Sequence, residues 1–514
     1  MDSWVAPLRT LRREHGAELI LAAIVAVAAI VRSATLGDQS LDHDETVTAA
    51  RVLHPSFLGT VQVVVSGERS PPLYYALIWV WSRIWGIGAV DLRSLSAIFG
   101  TVTVIAAYLA GRELASRRAG LIAAALVALN PYLIWYSQEA RSYAALVMFG
   151  ALGLYFFARS MSRPSGRSLA GWAAMSALAL CSHYFAVFPV VGEAAVLLAS
   201  RVRRRGALPA ILAVAAVGIA LLPLAVIQES GGRGNGLTQI PVAQRAETAI
   251  VKYIGTEGPA PQAGILSTTP GQRHAAVVGV ALLAVAIALV AARGSASERR
   301  GALRAGVVAA AAFAVPLAVA WAGIDFVDPR NMIGALVPVL VLAAIGFGTR
   351  RASRTGAVAL AASLGLFAVV LGFVDDNPAT ERHDWRAVAA VIPHAPKPSL
   401  YVVPHDARTP LDYYTGRNLD RFEPGRFPDG VATRHVVVIS DYPAITGPGP
   451  PFDLVDTRTA PQHWTVKIYA AREPVAVNPA QVAGTKVMVQ RSTVLVAQPR
   501  SLLRAEAATD TGHA

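Results

Sequence analysis

Apolar runs close to bilayer-spanning length recur along this chain from Glu18 to Val374. A membrane helix needs roughly 20 consecutive apolar residues, so the series predicts a polytopic, all-α membrane protein with about eleven spans. With 54% hydrophobic and 15% charged residues and a mean hydropathy of +0.46, the composition excludes an ordinary soluble protein. The predicted spans are residues 18–36, 92–109, 120–135, 143–158, 169–184, 186–198, 208–227, 275–292, 306–324, 332–347 and 358–374.

Arginine clusters occupy every second loop between these runs. They are Arg9/Arg12/Arg13, Arg112/Arg117/Arg118, Arg159/Arg163/Arg167, Arg201/Arg203/Arg204/Arg205, Arg293/Arg299/Arg300/Arg304 and Arg350/Arg351/Arg354. Short arginine-rich loops stay in the cytoplasm, so we predict a multi-pass inner (plasma) membrane protein with a cytoplasmic N-terminus. This placement accounts for the net charge of +13. The bilayer is therefore the expected partner, and nucleic acid is not.

Residues 71–88 are apolar and nearly long enough to span, yet the arginine alternation does not allow them to cross. If they and residues 92–109 both crossed, every later arginine cluster would lie outside. The segment carries Arg83, three tryptophans and two tyrosines, which is typical of a helix in the membrane interface. We therefore assign residues 37–90 to one external loop.

The sequence divides into a membrane domain, residues 1–374, and a small extracytoplasmic α/β domain, residues 375–504. Residues 229–273 form a polar, Gly/Pro-rich external loop long enough for a lid or binding role. In the second domain we predict strands at 400–403, 435–440, 464–470 and 486–489 and a helix at 384–392.

Residues 505–514 are predicted to be a disordered tail. The single cysteine, Cys181, allows no disulfide within the chain.

An acidic segment, residues 41–51 (LDHDETVTAAR), directly follows the first span. Asp44 and Glu45 are adjacent, so on a helix they point about 100° apart. One carboxylate is then able to act as a base while the other holds an arginine or a helix end. The alternative is structural, with Asp42 or Asp44 as a helix N-cap. His43 beside these carboxylates also suits a divalent ion, although this spacing is generic.

Four further groups of polar residues fall on the same predicted external side. They contain Arg69, Tyr74 and Tyr75; Tyr136, Glu139 and Arg141; His183; and Arg330. Three of these residues are arginines, which suit a phosphate or pyrophosphate. The alternatives are interface anchoring by the aromatics, snorkelling of Arg141 and a simple hydrogen-bonded role for His183. No Gly-rich nucleotide loop and no H-E-x-x-H zinc motif is present in the sequence.

These segments resemble the GT-C superfamily of integral-membrane glycosyltransferases, which includes protein O-mannosyltransferases and aminoarabinose–lipid A transferases. Residues 70–75 (SPPLYY) and 92–100 (LRSLSAIFG) are similar to the family's HPPLYY and LRLPSALFG. Residues 135–144 (WYSQEARSYA) resemble its YYSQEARMYA, and residues 182–184 (SHY) its THY. Two positions depart from the pattern: Ser70 replaces a His or Lys, and Asn331 replaces an aromatic residue.

The resemblance implies an inverting transfer of mannose or a pentose from a polyprenyl-phosphate donor. The acceptor would be a hydroxyl of an envelope glycolipid, a polysaccharide or a protein. Asp44 would be the catalytic base supported by Glu45, and the eight other residues named above would join His43 in binding substrate. No cofactor is certain; a divalent metal would be held by Asp44 and Glu139. Two alternatives stay open: a lipid-linked sugar flippase, with Glu193 as its intramembrane acid, and a non-catalytic glycan-binding scaffold.

Overall fold

The structure, a computed structural model, describes residues 5–200, 204–229, 240–256, 268–376, 381–392, 398–404, 407–423, 425–440, 447–479 and 492–497. The chain forms two compact units. The first contains Met1–Gly37 and Val52–Asn377, and the second contains Asp38–Arg51 and Pro378–Ala514. The acidic segment therefore folds with the C-terminal residues, a grouping that the sequence did not indicate. The tail at 505–514 and large parts of the 229–273 loop lie outside the described residues.

Eighteen helices are named here in chain order. They are α1 (Val5–Ser33), α2 (His43–Val47), α3 (Phe57–Gly67), α4 (Leu73–Trp85), α5 (Ala89–Leu114), α6 (Arg117–Leu129), α7 (Pro131–Ser137), α8 (Tyr143–Ser162), α9 (Gly166–Ser182), α10 (Val187–Ala199), α11 (Arg204–Glu229), α12 (Val242–Gly255), α13 (Pro270–Arg293), α14 (Ala296–Trp321), α15 (Leu336–Phe347), α16 (Ser353–Asp376), α17 (Trp385–Val391) and α18 (Arg408–Thr415). Short polar residues start several of them: Ser116, Asn130, Ser165 and Ser295 accept hydrogen bonds from backbone amides of the first turn.

Within the described part of the chain, eight helices are long and apolar enough to cross a membrane. The number is nine if α6 and α7, which meet at a bend of 62°, form one broken span. The prediction of a helical multi-pass membrane protein is confirmed. The remaining difference from about eleven predicted spans lies in α9 and α10, whose 17 and 13 residues make them shorter than the eight helices counted above. The predicted interface segment forms α4, whose 13 residues are also too few to span.

The break between α6 and α7 is stabilised by a buried arginine from α1. Pro131 has no amide hydrogen to donate, so the helical hydrogen bond to Val127 cannot form. The Arg32 guanidinium replaces the missing donors, with Nη2 donating to Val127 O at 3.0 Å and Nη1 to Ala128 O at 2.8 Å. Arg32 is fully buried. It therefore satisfies backbone groups that would otherwise be unpaired within the helical bundle.

The second unit contains a mixed six-stranded sheet. Its strands are β1 (Ser399–Pro404), β2 (Leu419–Arg421), β3 (Val431–Ser440), β4 (Asp453–Thr459), β5 (Thr465–Val477) and β6 (Ser492–Ala497). The order is β2-β6-β1-β3-β5-β4, in which β1 and β3 are parallel and the other neighbours antiparallel. The predicted α/β domain is confirmed, with β1, β3, β5 and α17 at the expected positions. The strand predicted at 486–489 lies outside the described residues.

Candidate functional site

The centre of the candidate site in the first unit is Glu68, which the sequence analysis did not select. Its Oε2 accepts hydrogen bonds from Tyr75 Oη at 2.7 Å and from Arg141 Nη2 at 3.0 Å. The Arg141 guanidinium also lies 5.8 Å from the centre of the Tyr75 ring. All three side chains are largely buried. Burial, partly opposed by the charge of Arg141, raises the pKa of Tyr75 well above its usual value, so the phenol stays protonated and donates.

The turn that carries Glu68 is held by Gln228 from the end of α11. The Gln228 Nε2 donates to the carbonyl oxygens of Val64, at 2.9 Å, and Ser70, at 3.2 Å. Its Oε1 accepts from Tyr184 Oη at 2.8 Å. Because Pro71 and Pro72 follow, the backbone has few other conformations available. Glu68 and Arg69 are thus fixed at the end of α3; the Arg69 side chain forms an exposed ion pair with Glu229.

His183 lies just past the C-terminal end of α9, between two aromatic rings. The ring centres of Tyr143 and Phe185 are 5.2 and 5.0 Å away. Burial, followed by the positive charges of Arg141 and Arg330, lowers the pKa of His183 to about 3. The imidazole is therefore neutral at ordinary pH. Its Nδ1 accepts from Phe185 N at 3.4 Å, which leaves the ring proton on Nε2 as a donor.

Arg330 reaches the same site from a loop that α12 holds in place. Arg245 forms a bidentate ion pair with Asp325, and its Nη1 donates to Val327 O at 2.8 Å. Tyr253 Oη donates to Pro329 O at 3.2 Å. Arg330 itself lies 3.3 Å from Asp328 and is 42% exposed. Asp328 therefore orients the Arg330 guanidinium, and part of the Arg330 side chain stays exposed to solvent.

Aromatic residues line the space beside these charged groups. Tyr136 packs between Tyr132 and Tyr143, with both pairs of ring centres 4.9 Å apart. Tyr74 packs edge-to-face on Tyr75 at 5.6 Å. Glu139 is buried in the turn before Arg141, whose amide donates to Glu139 O at 2.8 Å. The structure therefore brings four sequence groups together that lie far apart in the chain.

The acidic segment belongs to the second unit, and its two adjacent carboxylates have different surroundings. Asp42 is the N-cap of α2, and its amide donates to Glu45 Oε2 at 3.1 Å. Glu45 is fully buried, whereas Asp44 is only partly buried. Burial alone would raise the pKa of Asp42, but His383, the His43 amide and Arg382 together hold it well below its usual range. Asp44 is therefore the more accessible of the two predicted catalytic carboxylates.

Within the described residues, no group of three or more His, Cys, Asp or Glu side chains is arranged to hold a metal ion. The two residues predicted for a metal, Asp44 and Glu139, belong to different units. The divalent ion therefore stays a prediction.

Comparison with known proteins adds independent information. Residues 69–227, less than a third of the chain, match the dolichyl-phosphate-mannose-protein mannosyltransferase family. ArnT from Cupriavidus metallidurans, solved with undecaprenyl phosphate, is 15% identical with a TM-score of 0.53. The alignment covers 87% of this chain and 97% of ArnT. The chain therefore shares the fold of ArnT.

Two further solved structures are similar to the chain, and no curated protein matches the sequence. The Saccharomyces cerevisiae protein O-mannosyltransferase Pmt1-Pmt2 is 21% identical, with a TM-score of 0.33 over 47% of this chain and 38% of its own. Oligosaccharyltransferase AglB from Archaeoglobus fulgidus is 12% identical, with a TM-score of 0.49 over 79% of this chain and 64% of its own.

The acidic residue Glu193 of α10 has a structural partner. Its Oε2 accepts from Trp172 Nε1 of α9 at 2.7 Å, and both side chains are buried. This bond joins α9 to α10. Glu193 therefore pairs with a neighbouring helix, and this contact gives no support to a role in carrying a lipid-linked sugar.

Proposed function

We propose that this protein is a membrane glycosyltransferase of the GT-C superfamily. It moves a sugar, mannose or a pentose, from a polyprenyl-phosphate donor to a hydroxyl of an envelope glycolipid, polysaccharide or protein. The reaction takes place on the extracytoplasmic face of the inner membrane with inversion at the anomeric carbon. The supporting observation is the group of buried polar side chains in the first unit, with Arg141 held by Glu68 at 3.0 Å and His183 packed on Tyr143 at 5.2 Å.

A phosphate suits these groups better than a neutral ligand does. Two guanidinium groups supply charge and several N–H donors, and the imidazole supplies one more donor without further positive charge. Arg141 already pairs with Glu68. Its position is therefore fixed before a ligand arrives, which reduces the entropy lost on binding.

Asp44 is the base in this proposal. Glu45 is buried and accepts the Asp42 amide, so it stabilises α2 and is poorly placed to take a proton from a bulky acceptor. Deprotonation of the acceptor hydroxyl by Asp44 would allow its oxygen to attack the anomeric carbon. The lipid phosphate leaves, and the arginines stabilise its charge.

The test uses radiolabelled polyprenyl-phosphate mannose and pentose with a membrane extract as the source of acceptor. We expect Asp44→Asn to abolish transfer while donor binding and thermal stability stay near wild type. The matched control is Asp38→Asn, an exposed carboxylate in the same segment, which should transfer normally. Wild-type turnover by Asp44→Asn would remove Asp44 from the role of base.

The same assay separates the alternative functions. A flippase would change the sidedness of the labelled lipid without transfer to an acceptor. A glycan-binding scaffold would do neither.

A further inference from the structure

The acidic helix α2 is too short to hold its own conformation. It has five residues, whereas isolated helices shorter than about 12 residues are marginal in water. Its position must therefore come from tertiary contacts. Because the segment Asp38–Arg51 folds with the C-terminal residues, those contacts are found within the second unit.

Backbone hydrogen bonds attach the residues just before α2 to this unit. The Leu41 amide donates to Tyr414 Oη at 2.6 Å, and Leu41 itself is fully buried. The Ser40 hydroxyl accepts from Trp385 N at 3.0 Å and donates to His383 O at 2.9 Å. Two consecutive residues are thus tied to α18 and to the start of α17.

A contact between a histidine and a carboxylate continues the attachment into α2. His383 Nδ1 lies 3.8 Å from Asp42 Oδ1, at the N-cap of the helix. The His383 ring is 5.7 Å from the Trp385 ring and 5.5 Å from the Trp464 ring. Both tryptophans are buried in the core of the second unit. His383 therefore joins that core to the N-cap of the acidic helix.

We infer that His383 is a positioning residue for Asp44, and that the C-terminal domain serves to hold the acidic helix in its reactive conformation. This inference rests on the proposed function, in which Asp44 is the base. Asp44 lies two residues beyond Asp42, so a loss of the anchor at Asp42 moves or frees the carboxylate. A displacement of about 1 Å is enough to cost about 100-fold in rate.

The main variant is His383→Leu, which keeps an apolar side chain against the two tryptophans but cannot pair with Asp42. We expect kcat to fall about tenfold or more, with the KM for the lipid donor within about twofold of wild type. His383→Gln retains a donor and should recover a large part of the rate. The matched control is His435→Leu, a partly buried histidine on β3 of the same unit, which should be close to wild type.

A double-mutant cycle tests the pair directly. If His383 acts through Asp42, Asp42→Asn should cost little in the His383→Leu background, because residues in one network are not additive. If the rate losses of His383→Leu and Asp42→Asn simply add in the double variant, the inference is contradicted.

Amide hydrogen exchange provides a readout that needs no substrate. In His383→Leu, residues 38–47 should exchange about tenfold faster or more, while β1 and β3 stay protected and show that the domain remains folded. Unchanged protection of residues 38–47, or normal turnover by His383→Leu while Asp44→Asn is inactive, would overturn the positioning role. Normal turnover by Asp44→Asn would instead refute the proposed function, and the exchange result would still decide whether His383 anchors α2.

Discussion

At the scale of single residues, the burial of an ion pair decides its contribution to stability more than the N–O distance does. Glu68–Arg141 and Glu18–Arg117 have the same N–O distance, 3.0 Å. The first pair is 6% and 14% exposed, the second 51% and 57%. Exposed pairs contribute about 0–1 kcal/mol, whereas breaking a buried pair leaves an uncompensated charge and costs about 3–5 kcal/mol.

We therefore expect Glu68→Gln to lower transfer about tenfold or more and to raise the KM for the donor. The amide still accepts the Tyr75 hydroxyl but no longer balances the charge of Arg141. Glu18→Gln is the matched control and should leave kinetics and stability unchanged. Equal kinetics for the two variants would show that Glu68 does not organise Arg141.

The lowered pKa of His183 leads to a prediction about how stability depends on pH. Its pKa falls from 6.5 to about 3 in the folded protein, so between these values the unfolded chain binds one proton more than the native chain. The contribution of His183 to the free energy of unfolding is fully present above pH 6.5. It declines as the pH falls below this value, by about 1.4 kcal/mol per pH unit. Melting temperatures of His183→Asn in detergent should fall less steeply from pH 6.5 to 4 than wild type. The exposed His274→Asn should follow wild type; identical slopes for all three proteins would contradict the assignment.

At the scale of elements, the bend between α6 and α7 depends on a side chain from another helix. The sequence contains the cause of the break, because Pro131 cannot continue the hydrogen-bond pattern of α6. The sequence does not indicate which group donates to the carbonyl oxygens at the break, because Arg32 lies about a hundred residues earlier in a chain with many arginines.

Arg32→Met should destabilise the protein by about 2 kcal/mol or more, because two buried carbonyl groups lose their donors. The measurement is thermal unfolding in detergent, followed by tryptophan fluorescence. Arg299→Met, which removes an exposed arginine, is the control and should unfold like wild type. If both variants unfold at the wild-type temperature, Arg32 is not the group that satisfies the break.

At the scale of the whole molecule, the sidedness of the loops is the prediction most open to direct test. In a Cys181→Ala background, Glu423→Cys in the C-terminal domain should react with a membrane-impermeant maleimide in intact cells. Pro164→Cys, in an arginine-rich loop, should react only after permeabilisation. Both positions are exposed within the protein. The reverse pattern would invert the proposed topology and place the candidate site in the cytoplasm.

The sequence determined the features that depend on local composition. Apolar length predicted the helices, and short β-prone runs predicted β1, β3 and β5. The arginine alternation and the aromatic content predicted that residues 71–88, which form α4, do not span. The motifs also identified Tyr75, Arg141 and His183 as candidates, since charged and aromatic residues at the end of an apolar run are conspicuous.

Tertiary structure alone decided which distant groups meet. Glu68 was missed because a single acid in a polar loop carries no periodic signal, and its role arises only when Arg141 from another helix approaches. The acidic segment looked like part of a membrane-domain loop, yet Ser40, Leu41 and Asp42 are bound by the C-terminal unit. Hydrophobic periodicity is a property of one element at a time, whereas hydrogen bonds and ion pairs between remote residues depend on how the elements pack.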